Sequence, residues 1–449
     1  MKHLFSRLSP AQKIILSFLL VIFCGSLLLS LPWVQTESSQ AGYLDHLFTA
    51  VSMVCVTGLF TRSVVDTYNV WGQLLCMLLI QIGGLGILTF IGFFTMESRK
   101  KLSLKDRRIL RDSFSYGNNR TLGQFVRSIF ITTFTIEGLG ALLLMIRFIP
   151  KFGLRKGIFN SIFLAVSAFC NAGFDNFGND SLLGLQTDVL VNITLALLII
   201  TGGLGFMVWF DLATKLGGKQ KGLHFHTKVV LLLTAGLLVF GTVTSLWTEY
   251  NNPGTIGNLS FGDKLLVSFF QTVSMRTAGF ASIDYTAARP VTLFIYLLQM
   301  FLGGAPGGTA GGLKITTFLV LLLFARKEIL GLPHTNMGRR TLAPQLVQKA
   351  FGVTVIFQLT FLLGLLALGL VTDSSHRFIY LIFETVSALA TVGVTANITT
   401  SLNTAGMIVI MLLMFIGRVG PLTLMVSLNH YQPKKAATLH YSKADIMIG

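Results

Sequence analysis

Four short segments of this chain share a pattern that would suit cation binding. Each begins with phenylalanine, carries a Val-Ser pair and ends in a glycine; they are residues 48–58, 163–173, 270–279 and 383–393. Glycine allows backbone conformations that other residues rarely adopt, so carbonyls beside it can be turned toward one axis. A ring of carbonyl oxygens can replace the water shell of a cation. The four segments therefore predict a cation filter.

The predicted filter consists of the last three residues of each segment. They are Val56, Thr57, Gly58, Asn171, Ala172, Gly173, Thr277, Ala278, Gly279, Thr391, Val392 and Gly393. The alternative, that these glycines only end helices, explains one copy better than four in register. The serine of each Val-Ser pair recurs as Ser52, Ser167, Ser274 and Ser387. We expect its hydroxyl to bond back to a carbonyl of its own helix, with support of the pore as the alternative.

The composition of the rest of the chain indicates a membrane protein. Of the 449 residues, 52% are hydrophobic and 12% are charged, whereas soluble domains carry roughly 25% charged residues. Eight apolar segments approach the ~20 residues that a helix needs to span a bilayer. They are residues 14–34, 70–96, 128–146, 189–210, 229–248, 291–313, 350–372 and 406–428. Each filter segment lies between two of these spans.

The order span, short segment, span occurs four times and predicts an all-α polytopic membrane protein. We expect four membrane–pore-loop–membrane repeats around a central pore with fourfold pseudosymmetry, because non-helical backbone at membrane depth needs a shared aqueous cavity. The repeats would comprise residues 1–98, 99–214, 215–330 and 331–449, the last with a cytosolic C-terminus. A glycine in each second span keeps register with the filter copies, at Gly83, Gly202, Gly303 and Gly417.

The net charge of +17 is distributed as in a membrane protein rather than a nucleic-acid-binding protein. If both termini and the loops 97–128, 211–228 and 325–349 share one side, that side holds 24 of the 35 lysines and arginines. The positive-inside rule then predicts cytoplasmic termini. A basic cluster on the other side is an exception: Arg147, Lys151, Arg155 and Lys156. The loop 97–128 would be a solvated face or contact lipid, or alternatively dock a partner. As the largest basic faces on this side, 97–128 and 325–349 are expected to contact a cytosolic regulator.

The third unit contains a glycine-rich interruption of its second span. Residues 303–312 hold six glycines and one proline, followed by Lys314. Proline removes a hydrogen-bond donor and each glycine costs a helix ~1 kcal/mol relative to alanine, so the helix must break here. We call the following nine residues the glycine loop: Gly304, Ala305, Pro306, Gly307, Gly308, Thr309, Ala310, Gly311 and Gly312. The third unit is thus expected to be the one unit whose second span is broken.

Two acidic residues lie in apolar surroundings and need partners. Glu137 lies within the span 128–146, where an ionisable side chain is costly, so it either has an internal structural partner or belongs to an ion path. Glu384 lies in the fourth filter segment and either pairs with a nearby donor or binds an ion directly.

These repeats resemble the ion-translocating membrane subunit of the Trk/Ktr/HKT superfamily, most closely the bacterial Ktr type. The resemblance covers nearly the whole chain and depends on the filter turns Val-Thr-Gly58-Leu, Asn-Ala-Gly173-Phe, Thr-Ala-Gly279-Phe and Thr-Val-Gly393-Val, and on the broken third unit. In the superfamily, glycine at all four positions is associated with potassium passage, and serine in the first unit with sodium preference. The resemblance therefore implies potassium uptake through the plasma (inner) membrane.

The resemblance also implies how transport is controlled. The glycine loop would gate the pore below the filter together with Lys314, and Arg418 would hold the loop or repel ions there. It further implies a homodimer, a cytosolic ring of nucleotide-binding regulatory subunits and dependence on sodium. The nucleotide would bind that ring, so no cofactor is expected in this chain apart from the transported or coupling ions.

Other classes of function fit the sequence less well. It contains no nucleotide-binding loop, catalytic triad or metal-ligand spacing, so we expect neither an enzyme nor a metal site other than potassium at the filter carbonyls. A voltage-gated channel would need an arginine-rich span in each unit, and the sequence contains no such span. The remaining alternatives are another fourfold cation channel, a sodium-selective member of the superfamily, and a membrane scaffold without a pore.

Overall fold

The computed structural model describes residues 10–86, 122–178, 181–218, 220, 222–338, 340–372 and 377–420. These residues are mainly helical. In chain order the helices are α1 (Pro10–Leu29), α2 (Tyr43–Val54), α3 (Val64–Thr67), α4 (Val70–Leu85), α5 (Leu122–Phe152), α6 (Leu154–Phe169), α7 (Val189–Gly203), α8 (Phe206–Leu216), α9 (Phe225–Glu249), α10 (Phe261–Ser274), α11 (Pro290–Phe301), α12 (Ile315–Ile329), α13 (Pro344–Val371), α14 (Phe378–Leu389) and α15 (Thr404–Val419). Short 3-10 helices occur at Pro32–Val34, Leu183–Leu185 and Thr399–Ser401, and strands β1 (Asn336–Met337) and β2 (Arg340–Thr341) form an antiparallel hairpin.

The helices α1, α5, α9 and α13 are long and apolar enough to cross a bilayer. They correspond to the first span of each predicted unit. Large apolar side chains on them, such as Phe23, Phe134, Phe240 and Leu363, are more than half exposed. In a bilayer these side chains contact lipid, whereas in water such apolar surface would be costly. The described residues therefore form a helical, multi-pass membrane protein.

The filter segments form short helices, as predicted. The helices α2, α6, α10 and α14 contain 12, 16, 14 and 12 residues. At a rise of ~1.5 Å per residue they extend about 18 to 24 Å, less than the ~30 Å of hydrocarbon in a bilayer. Each packs against the long helix that precedes it. The opening phenylalanine of each copy is a fully buried core residue, at Phe48, Phe163, Phe270 and Phe383.

Within the described residues, the second spans consist of short helices. The helices α4 and α15 end at Leu85 and Val419, and residues 87–96 and 421–428 of the predicted spans lie outside the described residues. The helix α11 ends at Phe301, immediately before the glycine-rich interruption. Apolar helix resumes as α12.

The predicted span 189–210 is not one straight helix, so the expectation that only the third unit is broken is wrong. The helices α7 and α8 meet at 97°. Gly205 between them has a φ of +90°, which favours glycine. The backbone groups freed at this bend bond to the glycine loop: Ala305 N donates to Gly203 O at 2.9 Å, and Phe206 N donates to Gly307 O at 3.0 Å. The two breaks therefore satisfy each other's backbone.

The recurring glycines of the second spans allow close backbone contact. A Cβ added to Gly83, Gly202 or Gly417 would lie 2.3, 1.9 or 2.0 Å from the carbonyl oxygen of the last residue of the short helix in its own unit. Only glycine permits this approach. In the third unit Gly303 instead faces the carbonyl of Gly311, because the glycine loop takes the place of a continuous helix.

Candidate ion pathway

The four filter glycines lie side by side in a closed ring. A Cβ added to Gly58 would lie 3.1 Å from the Cα of Gly173, and one added to Gly173 would lie 2.8 Å from that of Gly279. A Cβ on Gly279 would lie 3.3 Å from the Cα of Gly393, and one on Gly393 would lie 2.9 Å from that of Gly58. Each copy thus contacts the next in chain order, and the fourth contacts the first. Segments more than 100 residues apart meet at one place.

Carbonyl oxygens surround this ring. Each glycine faces the carbonyl of the middle residue in a neighbouring turn: Gly58 faces Ala172, Gly173 faces Ala278, Gly279 faces Val392 and Gly393 faces Thr57. The short helices end with their C-termini at these turns, where the helix dipole places partial negative charge. Both features favour a cation at the ring.

The four turns share a backbone conformation that the sequence did not reveal. The first predicted filter residue of each copy has a positive φ, with 55° at Val56, 57° at Asn171, 67° at Thr277 and 52° at Thr391. The glycine two residues later also has a positive φ in each copy. Such strain costs on the order of 1–3 kcal/mol per non-glycine residue and is found mainly at ligand and active sites. Valine, asparagine and threonine share no preference that would have predicted it.

The recurring serines contact the filter turns, which is the alternative role considered for them. Ser52 Oγ accepts a hydrogen bond from Gly58 N at 3.1 Å, and Ser387 Oγ accepts one from Gly393 N at 3.0 Å. In the second copy Ser167 Oγ accepts from Phe174 N at 3.0 Å.

The serine of the third copy makes a different bond. Ser274 Oγ donates to the carbonyl of Phe280 at 2.6 Å. Its serine and glycine are five residues apart, instead of six as in the other copies. Because of the shorter spacing, the hydroxyl of Ser274 faces a backbone carbonyl, whereas the other three serines face a backbone N–H. In all four copies the serine still joins the short helix to its own turn.

The glycine loop lies against the filter turns. Thr309 is fully buried, and its Oγ1 donates to the carbonyl of Phe169, the last residue of α6, at 3.0 Å. Gly311 N donates to Thr277 Oγ1 at 3.1 Å. At its base, Gly303 N donates to Leu313 O at 3.0 Å. The loop is therefore closed at its base and contacts both the second and the third unit.

Two basic side chains hold the glycine loop. Lys314 Nζ donates to the carbonyls of Ala310 and Gly311, at 2.7 and 3.3 Å. Arg418, on α15, donates to Thr309 O at 2.5 Å. Its other terminal nitrogen donates to the carbonyls of Gly83 and Gly84 on α4, the latter at 3.2 Å. The planar fork of one guanidinium thus joins the first, third and fourth units.

The isolated acids have internal partners. Glu137 is buried and accepts hydrogen bonds from Gln81 Nε2 at 3.1 and 3.3 Å, which favours the structural role. Glu384 pairs with hydroxyl donors, as one of its two alternatives predicts. Arg147 forms an ion pair with Asp188, which accounts for one member of the basic cluster. Most of the basic face 97–128, residues 97–121, lies outside the described residues.

Comparison with known proteins decides the family. The model of the TrkH family, described as a cation transport protein, matches residues 7–438. The chain belongs to the TrkH family. It is also 38% identical to Ktr system potassium uptake protein B of Bacillus subtilis, over 99% of this chain and 97% of that protein. This similarity identifies it as a Ktr-type membrane subunit of the TrkH family.

Two further relatives extend this assignment. Potassium/sodium uptake protein NtpJ of Enterococcus hirae is 39% identical over 100% of this chain and 99% of that protein. The crystal structure of the potassium transporter TrkH from Vibrio parahaemolyticus has a TM-score of 0.73 at 17% identity, covering 93% of this chain and 84% of that one. At this identity the structure supports the TrkH fold alone.

Proposed function

We propose that this chain forms the pore of a potassium uptake system in the plasma membrane. The ring of four glycines, surrounded by turn carbonyls and helix C-termini, is the observation that carries the proposal. Full-length relatives named as potassium uptake proteins support the choice of ion. Glycine at every filter position agrees with potassium passage in the superfamily. The four units, 1–98, 99–214, 215–330 and 331–449, would surround the pore with fourfold pseudosymmetry.

The glycine loop is the proposed gate. It occupies the space beside two filter turns, and its backbone is tied by Arg418 to α4. An ion leaving the filter toward the cytoplasm would have to pass it. Release of Arg418 from Thr309 would free the loop on one side. Lys314 adds a positive charge that opposes cation passage while the loop is closed.

Control of this gate would come from outside the chain. Following the resemblance, the functional unit is a homodimer on a cytosolic ring of nucleotide-binding subunits, with both termini in the cytoplasm. The chain itself would hold no nucleotide, and sodium would activate or accompany transport. The name of the Enterococcus hirae relative, potassium/sodium uptake protein, is consistent with the sodium-selective alternative.

Uptake of radioactive rubidium tests the proposed function. The full chain, expressed in cells that lack potassium uptake, should accumulate rubidium and restore growth at low potassium. A sodium-selective transporter would accumulate sodium but not rubidium. Another cation channel, without a preference between the two ions, would accumulate both. A chain that reaches the membrane and moves neither ion would contradict the proposal.

A further inference from the structure

The buried carboxyl group of Glu384 joins a short helix to the chain that leaves the filter. Glu384 lies in α14, nine residues before Gly393, and is fully buried. Its Oε2 accepts a hydrogen bond from Thr395 Oγ1 at 2.6 Å, and its Oε1 accepts one from Thr399 Oγ1. Thr395 follows Gly393 by two residues. One side chain therefore bridges the segments on either side of the filter turn.

The segment held by Glu384 is itself ordered by hydrogen bonds. Thr395 Oγ1 also accepts from Ile398 N at 3.2 Å. Thr399 is fully buried and begins the 3-10 helix Thr399–Ser401. Both carboxylate oxygens thus accept hydrogen bonds from hydroxyls whose positions are determined by the backbone that follows the filter turn. A displacement of the turn would have to break at least one of these bonds.

The third unit has a comparable bridge at the same position. Gln271 follows its opening phenylalanine, as Glu384 follows Phe383. Gln271 Nε2 donates to Ser282 Oγ at 2.8 Å, and its Oε1 accepts from Tyr285 Oη at 2.6 Å. Ser282 and Tyr285 both follow the filter glycine of that unit.

The two bridges also contact each other, and the other units differ. The rings of Tyr285 and Phe383 lie 5.5 Å apart, so the third bridge packs against the helix of the fourth. The equivalent residue in the second unit is Leu164, whose side chain cannot form hydrogen bonds. In the first unit it is Thr49, whose side chain is shorter. The first and second units form such bridges from other positions: Thr61 Oγ1 donates to Asp45 Oδ1, and Asn176 Nδ2 donates to Asn160 Oδ1, both at 2.7 Å. At the position after the opening phenylalanine, the third and fourth units carry the long polar side chains.

We propose that Glu384 and Gln271 are positioning residues that determine the preference for potassium over sodium, given the proposed function. Carbonyls that coordinate potassium must move inward to coordinate the smaller sodium ion. The bridges oppose this movement by fixing the outgoing segments of the third and fourth turns.

Three variants of the full chain test this role in proteoliposomes. Glu384→Met removes both acceptors, Thr399→Val removes one donor, and Glu384→Gln keeps an acceptor and the side-chain shape. The control is Thr385→Val, since Thr385 is equally buried in α14 but donates to Leu381 O of its own helix. The readouts are the rubidium-to-sodium uptake ratio and the KM for rubidium.

The bridge should affect selectivity more than expression or folding. We expect Glu384→Met and Thr399→Val to lower the ratio about tenfold, which corresponds to ~1.4 kcal/mol, the order of one hydrogen bond. Glu384→Gln should restore most of the ratio, and Thr385→Val should leave it unchanged.

Two results would overturn the proposal. One is an unchanged ratio and KM in Thr399→Val, the variant least disruptive to folding. The other is an equal loss in Thr385→Val, which would assign the effect to general packing of α14. If the unaltered chain moved no rubidium at all, the proposed function would fail instead.

Discussion

Replacing the filter glycines with alanine should reduce potassium selectivity in an order set by the geometry of the ring. An added Cβ would lie 2.0 Å from the nearest carbonyl oxygen at Gly393, 2.5 Å at Gly279, and 2.7 Å at both Gly58 and Gly173. Ordinary contacts of a Cβ lie beyond 3.4 Å. At Gly393 the neighbouring turn must therefore move by more than 1 Å, roughly the scale on which a catalytic or coordinating geometry is lost.

Backbone strain adds to this displacement. Gly393 has a φ of +99°, and Gly58 one of +102°. An L-residue in such a conformation costs on the order of 1–2 kcal/mol. We therefore expect Gly393→Ala to lower the rubidium-to-sodium uptake ratio by at least about tenfold, the factor for 1.4 kcal/mol. Gly58→Ala should have a smaller effect, and Gly58→Ser should act in the same direction because its hydroxyl adds bulk.

Measurements of rubidium and sodium uptake on matched samples decide this prediction. The control is Gly369→Ala in α13, where an added Cβ meets nothing within 4 Å. Uptake is normalised to the amount of folded protein in the membrane. If Gly393→Ala and Gly369→Ala show the same ratio, Gly393 does not belong to a selectivity filter. If Gly58→Ala is the more harmful change, the packing argument is wrong even though the ring is present.

Three other predictions concern the gate and two acidic residues outside the filter turns. Deleting residues 305–311 should raise flux through the membrane subunit alone. Arg418→Gln should raise flux less, because Arg418 contributes one of several hydrogen bonds that hold the loop. Unchanged or lower flux in folded protein would show that the gate lies elsewhere. Glu249→Gln should lower the free energy of unfolding by ~2 kcal/mol without changing ion selectivity, because Glu249 is buried and accepts a hydrogen bond from Arg289 N, among other donors. Calorimetry measures the change in stability, and an uptake assay measures the selectivity. Burial raises the pKa of Asp175 to about 6. Its contribution to the stability of the fold is therefore greatest at low pH and is lost as pH rises from about 4 through about 6. Melting temperatures of Asp175→Asn and of the unaltered chain should differ in pH dependence within this window.

The meeting of the four filter glycines was predictable from the sequence because the repeats preserve both residue type and spacing. The bend between α7 and α8 was not. The bend depends on a partner more than 100 residues away, the glycine loop, whose Ala305 and Gly307 bond to the freed backbone. A local pattern carries no information about such a partner.

Local sequence patterns also could not predict the hydrogen bonds within the candidate site. The serine contacts depend on how far each turn lies from its helix, and one deleted residue changes the bond at Ser274. The carbonyl partners of Arg418 come from the third and first units. The sequence predicts that a buried guanidinium needs acceptors, but only the packing of the units shows which carbonyls are available.

The position of bound rubidium is the most direct test of the filter. Anomalous diffraction from crystals of the full chain grown with rubidium should show an ion on the axis of the ring formed by Gly58, Gly173, Gly279 and Gly393. The peak should lie within coordination distance of carbonyls from all four turns and should disappear when sodium replaces rubidium. Rubidium bound elsewhere in the membrane, with an empty ring in protein that still transports it, would contradict the account.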